Sequence, residues 1–314
     1  MTVVIVHRDR PDVLPATVAA FAATDRDGPA VRVMVVDNAS GPSSAPVLDA
    51  LAGAGVEVVT SPTNLGFGPG ANVGLRRWLR RGGGTWVAVA PHDARPRRDT
   101  LARLVEAGRA DERLGLISAD VGDGATPLVD PFLGAIGGPQ TITEGFEPGD
   151  YPHGTLLMAR RACLEQVGVF DERYFAYCEE ADLGLRARAA GWEVGVVRGA
   201  RVDNPGMSTA VERVAYLQLR NTLLLLREHY GRRQSLFRAV FALGRLPVGV
   251  VHPPARGLHW SPVGRLRGIA DHYRGRYGPP PVWSGPRWGG GSPLRIRRRR
   301  GRRSRSPSAG VGYG

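Results

Sequence analysis

The sequence predicts an α/β fold in which a mostly parallel central sheet is flanked by helices. Three observations predict it. Short β-branched runs, residues 3–6 and 31–36 among them, alternate with longer segments of helical period, as in βαβ units. Two such runs end beside an acid, Asp37 and Asp93, and open α/β sheets bind ligands beyond their strand C-termini. A length of 314 residues with 42% hydrophobic content is enough for one large domain plus appendages.

Residues 3–6 read as a buried parallel strand. A helix over 11–23 follows, with Val13, Leu14, Val18 and Phe21 along one side. The second strand, 31–36, runs into Asp37-Asn38-Ala39-Ser40-Gly41. Residues 46–53 are helical and 56–60 a third strand. A helix over 66–81 is entered through a glycine-rich turn, and 86–90 is a fourth strand ending at Pro91-His92-Asp93. Residues 100–110 are helical and 114–119 a fifth strand. The Gly- and Pro-rich stretch 121–151 has no clear period and reads as a loop with short strands that crosses the site. A strand over 155–159 and a helix over 161–167 follow; a helix over 179–190 ends at Gly191, and 194–197 is the last strand. Residues 212–230 form a long helix, and 235–251 is apolar or amphipathic with Pro247 breaking it. From 253 onward Pro, Gly and Arg dominate. The expected organisation is a catalytic domain over 1–230, a helical extension over 231–278 and a disordered basic tail over 279–314.

The net charge of +13 is mainly a property of the tail. Eight arginines lie between Arg295 and Arg305 with no acid among them, and every basic residue of the chain other than histidine is arginine, a composition bias. A nucleic-acid-binding fold is therefore not indicated. The tail instead suits an anionic membrane surface, at roughly 1 kcal/mol per basic residue; the plain alternative is a solvated end without a role. Two cysteines, Cys163 and Cys178, are too few for a disulfide framework or a zinc site, and a cytoplasmic setting is expected. The N-terminal apolar run is too short for a signal peptide, and no run of about 18 apolar residues offers a membrane span.

The densest chemistry lies in 170–183, where Asp171, Glu172, Glu179, Glu180 and Asp182 are interleaved with Phe170, Tyr174, Phe175 and Tyr177. Aromatic walls around clustered carboxylates suggest a pocket that binds a metal, a polyol or a proton. The alternative is a helix N-terminus with acids set against its dipole. The Gly66-x-Gly68-x-Gly70 turn lacks both the dinucleotide spacing and the Lys-Ser/Thr of a P-loop.

Val3-Val4-Ile5-Val6, Val35-Val36-Asp37-Asn38-Ala39-Ser40, residues 64–74 and residues 170–186 occur in an order that resembles the family 2 glycosyltransferases of the rhamnosyltransferase-like branch. The resemblance spans roughly residues 1–230. It implies a GT-A fold, a nucleotide-diphosphate sugar donor such as dTDP-rhamnose or a UDP-sugar, a divalent cation (Mn2+ or Mg2+), and inversion at the anomeric carbon. The acceptor would be a hydroxyl of a glycan, a lipid-linked or a small molecule, with work on the inner face of a membrane as one setting.

By residue matching, the resemblance places Val6, Asp37, Asn64, Gly66, Asn72, His92 and Arg220 around the donor and Asp93 on the metal. Asp37 would accept from a pyrimidine or ribose, the plainer alternative being a turn residue. Asn72 faces the site or is a helix-surface amide. His92 is a cation ligand or a packing residue, since Pro91-His92-Asp93 keeps only the last acid of the family's metal motif. Arg220 steadies the diphosphate or makes an ion pair under its helix. Glu180 matches the family's base, with Glu179 and Asp182 as alternatives. Asn204 stands where the family often has a histidine. The departures at Pro91 and Asn204 leave room for a catalytically impaired partner subunit. A nucleotidyltransferase would want a basic glycine-rich N-terminal motif, which Arg8-Asp9-Arg10 matches poorly.

Overall fold

The computed structural model describes residues 1–23, 30–203, 211–252 and 260–281. Residues 1–280 form one compact unit. Asn204 and the arginine run 295–305 lie outside the described residues.

In chain order the strands are β1 (Thr2–His7), β2 (Arg32–Asn38), β3 (Glu57–Ser61), β4 (Trp86–Pro91), β5 (Arg95–Pro96), β6 (Leu114–Asp120), β7 (Ala125–Asp130), β8 (Gly134–Pro139), β9 (Gly145–Pro148), β10 (Leu157–Arg160) and β11 (Glu193–Asp203). The helices are α1 (Leu14–Ala22), α2 (Ala45–Gly53), α3 (Phe67–Arg81), α4 (Thr100–Ala110), α5 (Arg161–Val167), α6 (Glu179–Ala189), α7 (Val211–His229), α8 (Arg232–Val251) and α9 (Pro262–Tyr273).

The central sheet runs β3-β2-β1-β4-β10-β6-β11-β5, with β9 also paired to β11. Alternate residues of β1 serve the two faces. Val3 and Ile5 join the core beneath α1 and α4, while Val4 and Val6 join the core beneath α3 and α6. A sheet covered on both faces explains why β1 reads as a continuous apolar run.

The pairs β1–β2, β2–β3, β1–β4 and β6–β11 are parallel. Strand β10 is antiparallel to both β4 and β6, so the sheet is mixed where helix alternation alone predicts parallel strands. The chain travels from β6 to β10 through β7, β8 and β9, not through a crossover helix, and so enters the sheet from its other end. The expected loop over 121–151 is this excursion, with β7 and β8 forming a separate antiparallel hairpin.

One expectation about the C-terminal part is corrected. Pro247 does not break the helix, because α8 passes through it. Pro247 and Leu243 are both exposed, so the carbonyl that loses its N–H partner meets water. Residues 262–273, inside the expected helical extension, form α9, which Ser261 caps by accepting from the Gly264 amide at 3.1 Å. Helix α9 lies close on α7, with Gly264 against the Glu212 carbonyl and Gly268 against that of Tyr216.

Candidate active site

The C-terminal ends of β1, β2 and β4 open onto one side of the sheet. His7 and Asp37 stand opposite each other in the parallel register, as do Val6 and Pro91. Asp37 is 5% exposed, and its Oδ1 accepts from the Ser40 amide at 3.2 Å. Asn38 turns away and fastens the glycine turn. Its Nδ2 donates to the Gly66 carbonyl at 2.7 Å and to Asn64 Oδ1 at 3.2 Å, and its Oδ1 accepts from the Leu65 amide at 2.9 Å.

That turn docks on the acidic segment. The Phe67 amide donates to the Phe175 carbonyl at 2.8 Å. Gly66 has φ 94°, and a Cβ there would overlap the same carbonyl, so both conformation and space require glycine. One turn on, Asn72 is fully buried. Its Nδ2 donates to the Phe170 carbonyl at 2.8 Å, and its Oδ1 accepts from the Phe170 amide at 3.0 Å. Asn64 and Asn72 therefore reach the site through backbone they hold in place, not as side chains facing it.

The acidic segment enters α6 through a strained turn. Tyr177 and Cys178 both have φ 70°, a conformation that costs side-chain-bearing residues of order 1 kcal/mol or more each. Asn221 of α7 clamps it, donating from Nδ2 to the Ala176 carbonyl at 2.8 Å and the Tyr177 carbonyl at 2.9 Å. The strain aims the first turn of α6 into a cleft of about 700 Å³, lined among others by His92, Asp93, Tyr151, His153, Glu179 and Glu180.

The three candidate acids of α6 differ sharply. Asp182 is buried and satisfied: Arg186 Nε donates to its Oδ2 at 2.9 Å, and His229 Nε2 lies 2.9 Å from its Oδ1. It faces away from the cleft and orients the helix. Glu179 is 1% exposed and its Oε2 has no hydrogen-bond partner. Burial first, and the neighbouring Glu180 second, push its carboxyl well above the usual range, which favours its neutral form. Glu180 borders the cleft, and burial raises it to about 7. A Cβ on Gly154 would collide with Glu180 Oε1, so that glycine leaves the carboxylate its room.

Across the cleft, His92 is held at the end of β4. Its amide donates to the Val6 carbonyl at 3.1 Å, and its Nδ1 accepts from the Arg8 amide at 3.3 Å. Burial lowers its pKa. A neutral ring that accepts at Nδ1 carries its proton on Nε2, which suits a hydrogen-bond donor better than a cation ligand. Asp93 supplies an oxygen ligand of the hard type that Mg2+ and Mn2+ favour. Among the described residues no cluster of three or more His, Cys, Asp or Glu is arranged to hold an ion. The donor set fits a cation that shares its shell with donor phosphates, and does not fit one caged by protein alone.

Arg220 lies apart from this wall. It is 1% exposed; Nε donates to Asn221 Oδ1 at 3.0 Å, Nη1 to Tyr216 at 3.2 Å and Nη2 to the Gly278 carbonyl at 2.9 Å. These bonds tie the segment after α9 to α7 and support Asn221, and no ion pair with Arg220 is found among the described residues. Sequence reading missed Tyr151, His153, Arg238 and Arg265, all of which border the cleft. No local motif marks them, and the two arginines are lost among the eighteen after residue 229.

The sequence profile described as Glycosyl transferase family 2 matches residues 2–166, more than half of the chain. The chain belongs to glycosyltransferase family 2. An N-acetylglucosaminyl-diphospho-decaprenol L-rhamnosyltransferase of Mycobacterium tuberculosis is 29% identical to this glycosyltransferase over 202 residues, covering 54% of this chain and 64% of that protein. The chain thus spans just under two thirds of that relative. Solved structures show the same GT-A fold. The mannosyltransferase PcManGT of Pyrobaculum calidifontis, in complex with GDP-Man and Mn2+, is 15% identical with a TM-score of 0.57, covering 87% of this chain and 86% of its own. TarS of S. aureus with UDP-GlcNAc is 14% identical with a TM-score of 0.53, covering 87% and 80%.

Proposed function

We propose that this glycosyltransferase moves a sugar, with inversion, from a nucleotide-diphosphate donor to a hydroxyl of a lipid-linked glycan, and that Glu180 is its general base. The observation that carries this reading is the pair Glu179–Glu180: two adjacent acids of one helix turn, Glu179 buried with an unpartnered oxygen and raised well above the usual range, Glu180 at the cleft and raised to about 7. Environments that push paired carboxyls apart assign their roles. Glu180 takes the proton from the acceptor hydroxyl as the glycosidic bond forms and the nucleoside diphosphate departs. Glu179, pushed well above the usual range, favours its protonated form and so leaves Glu180 free to ionise near neutral pH.

On the donor side, Asp37 keeps Oδ2 for the nucleoside while Oδ1 holds the Ser40 turn. His92 Nε2 donates to a phosphate or sugar oxygen. Asp93 would hold Mn2+ or Mg2+ together with the donor diphosphate, and the cation would offset the charge of the leaving group. The Mn2+ bound by the mannosyltransferase neighbour supports this choice. The name of the mycobacterial relative favours dTDP-rhamnose, with a UDP-sugar next, and a prenyl-diphosphate-linked acceptor. Exposed apolar residues of α8 together with the arginine run favour work at the cytoplasmic face of an anionic membrane.

The test is Glu180→Gln. Turnover should fall about 10²–10⁴-fold with dTDP and UDP affinity nearly unchanged. A comparable loss of nucleotide affinity would move Glu180 into the donor site; unimpaired transfer would remove it as the base. Nucleotide release across dTDP-, UDP- and GDP-sugars identifies the donor.

A further inference from the structure

Two guanidiniums border the cleft without a counterion among the described residues. Arg238 of α8 and Arg265 of α9 both line it, beside Gln218, Leu219 and Thr222 of α7. Arg238 Nε donates to the Leu133 carbonyl at 3.1 Å, and its guanidinium lies over the Phe241 ring at 5.9 Å. Arg265 Nε is buried with no hydrogen-bond partner. Neither side chain pairs with a carboxylate among the described residues; their nearest charged company is cationic, Arg265 for Arg238 and Arg245 for Arg265. A half-buried charge without a counterion is costly and is kept where a ligand will meet it.

No other part of the chain beyond α7 can supply that counterion. From residue 230 to 314 there is a single acid, Asp271, against eighteen arginines. Asp271 is already engaged by the Tyr216 hydroxyl at 2.9 Å. Arg198 offers the contrast: it is 1% exposed and meets Glu147 at 2.5 Å and Asp120 at 3.3 Å.

The arginine pair is also distinct from the donor side. Asp93 has Arg10 and His92 as its charged neighbours, whereas Arg238 faces Cys178, the residue before the two glutamates. An apolar strip adjoins it. Phe132 of the β7–β8 turn packs edge-on against Phe237 at 5.2 Å, and Phe237 stacks on Phe241 at 6.3 Å. All three rings are exposed, as are Leu236 and Val240. A charged pair at the mouth of a cleft, continued by exposed aromatics, is complementary to an anionic head on an apolar chain.

We propose that Arg238 and Arg265 form the subsite for the diphosphate of a prenyl-diphosphate-linked acceptor, whose chain lies along Phe132, Phe237 and Phe241. The proposal rests on the glycosyltransferase reading of the cleft. It assigns the acceptor's anchor to the two helices after α7 and puts the acceptor sugar within reach of Glu180.

The test is binding of farnesyl diphosphate, inorganic pyrophosphate, farnesol and dTDP to the full chain and to Arg238→Gln, Arg238→Lys, Arg265→Gln and Phe237→Ser. Each Gln variant should weaken farnesyl diphosphate about tenfold or more and leave dTDP unchanged. Arg238→Lys should recover part of the loss, and Phe237→Ser should weaken farnesyl diphosphate but not pyrophosphate. Arg265→Gln should fold as well as the parent, since its guanidinium makes no hydrogen bond that the fold needs. Unchanged farnesyl diphosphate affinity in both Gln variants overturns the proposal. An equal loss of dTDP affinity overturns it in favour of a donor-diphosphate site. Pyrophosphate binding as tightly as farnesyl diphosphate removes the lipid. If these outcomes hold while no nucleotide sugar is turned over, the subsite stands and the catalytic reading falls.

Discussion

The Gly66 turn and the first turn of α6 touch each other, yet they treat their polar groups in opposite ways. Around Gly66, the amides of Asn38, Asn64 and Asn72 are bonded to backbone or to one another. In the first turn of α6, Glu179 has an unpartnered buried oxygen, and among the described residues neither Glu179 nor Glu180 has a cation beside it. Satisfied groups set shape; unsatisfied ones retain free energy for a substrate. Asp182 makes the point within one helix. It stands two residues after Glu180 and has both its oxygens engaged, so it positions the turn and does not react.

The sharpest break in this comparison comes from Asp93, which belongs to the reactive side. Asp93→Asn should lower turnover about 10²-fold or more, the order expected when several kcal/mol of charge stabilisation is lost. Turnover measured across a Mn2+ titration checks it, and near-parental rates at sub-millimolar Mn2+ would remove Asp93 from the cation. Next in size is the pH response of Glu180. Its ionised form is the base, so kcat/KM should rise about tenfold per pH unit up to about 7 and then level. A profile flat from about pH 5 to 8 would contradict a base with this environment.

The shaping side should answer in stability. Gly66→Ala should cost about 1–3 kcal/mol from backbone strain, and more if the Phe175 carbonyl cannot yield. Asp182→Asn should cost about 1–3 kcal/mol by weakening charged hydrogen bonds to Arg186 and His229. Denaturant unfolding measures both. The smallest effect has the opposite sign. Glu179 is raised well above the ordinary carboxylate range in the folded state, so its contribution to parental stability falls as pH rises above that range. Glu179→Gln removes that penalty and should raise Tm at about pH 8 by about 2–4 °C; a lowered Tm there would mean that the charge is welcome in the fold.

Much of this architecture was legible in the residues. The run Val3–Val6 is apolar at every position because both faces of the sheet are covered, and that pattern alone indicates a buried strand. The acids at the ends of β2 and β4 announced the site through a rule about sheet geometry. Roles were less legible than places. Asn72 and Arg220 match positions in the family pattern, but their side chains are spent on backbone carbonyls and neighbouring side chains, a matter of where helices pack. The antiparallel course of β10 was hidden because strand direction depends on the path of the chain between strands, and apolar period carries no direction.

The sequence by itself determined the alternation of strands and helices, the glycine at 66, and the clustering of acids before α6, because each is written in local pattern and backbone freedom. Tertiary structure decided which acid is engaged and which is left to react. Burial and counterions come from residues far along the chain, such as His229 beside Asp182 and Gly154 beside Glu180, and a carboxyl's proton affinity follows those neighbours in space.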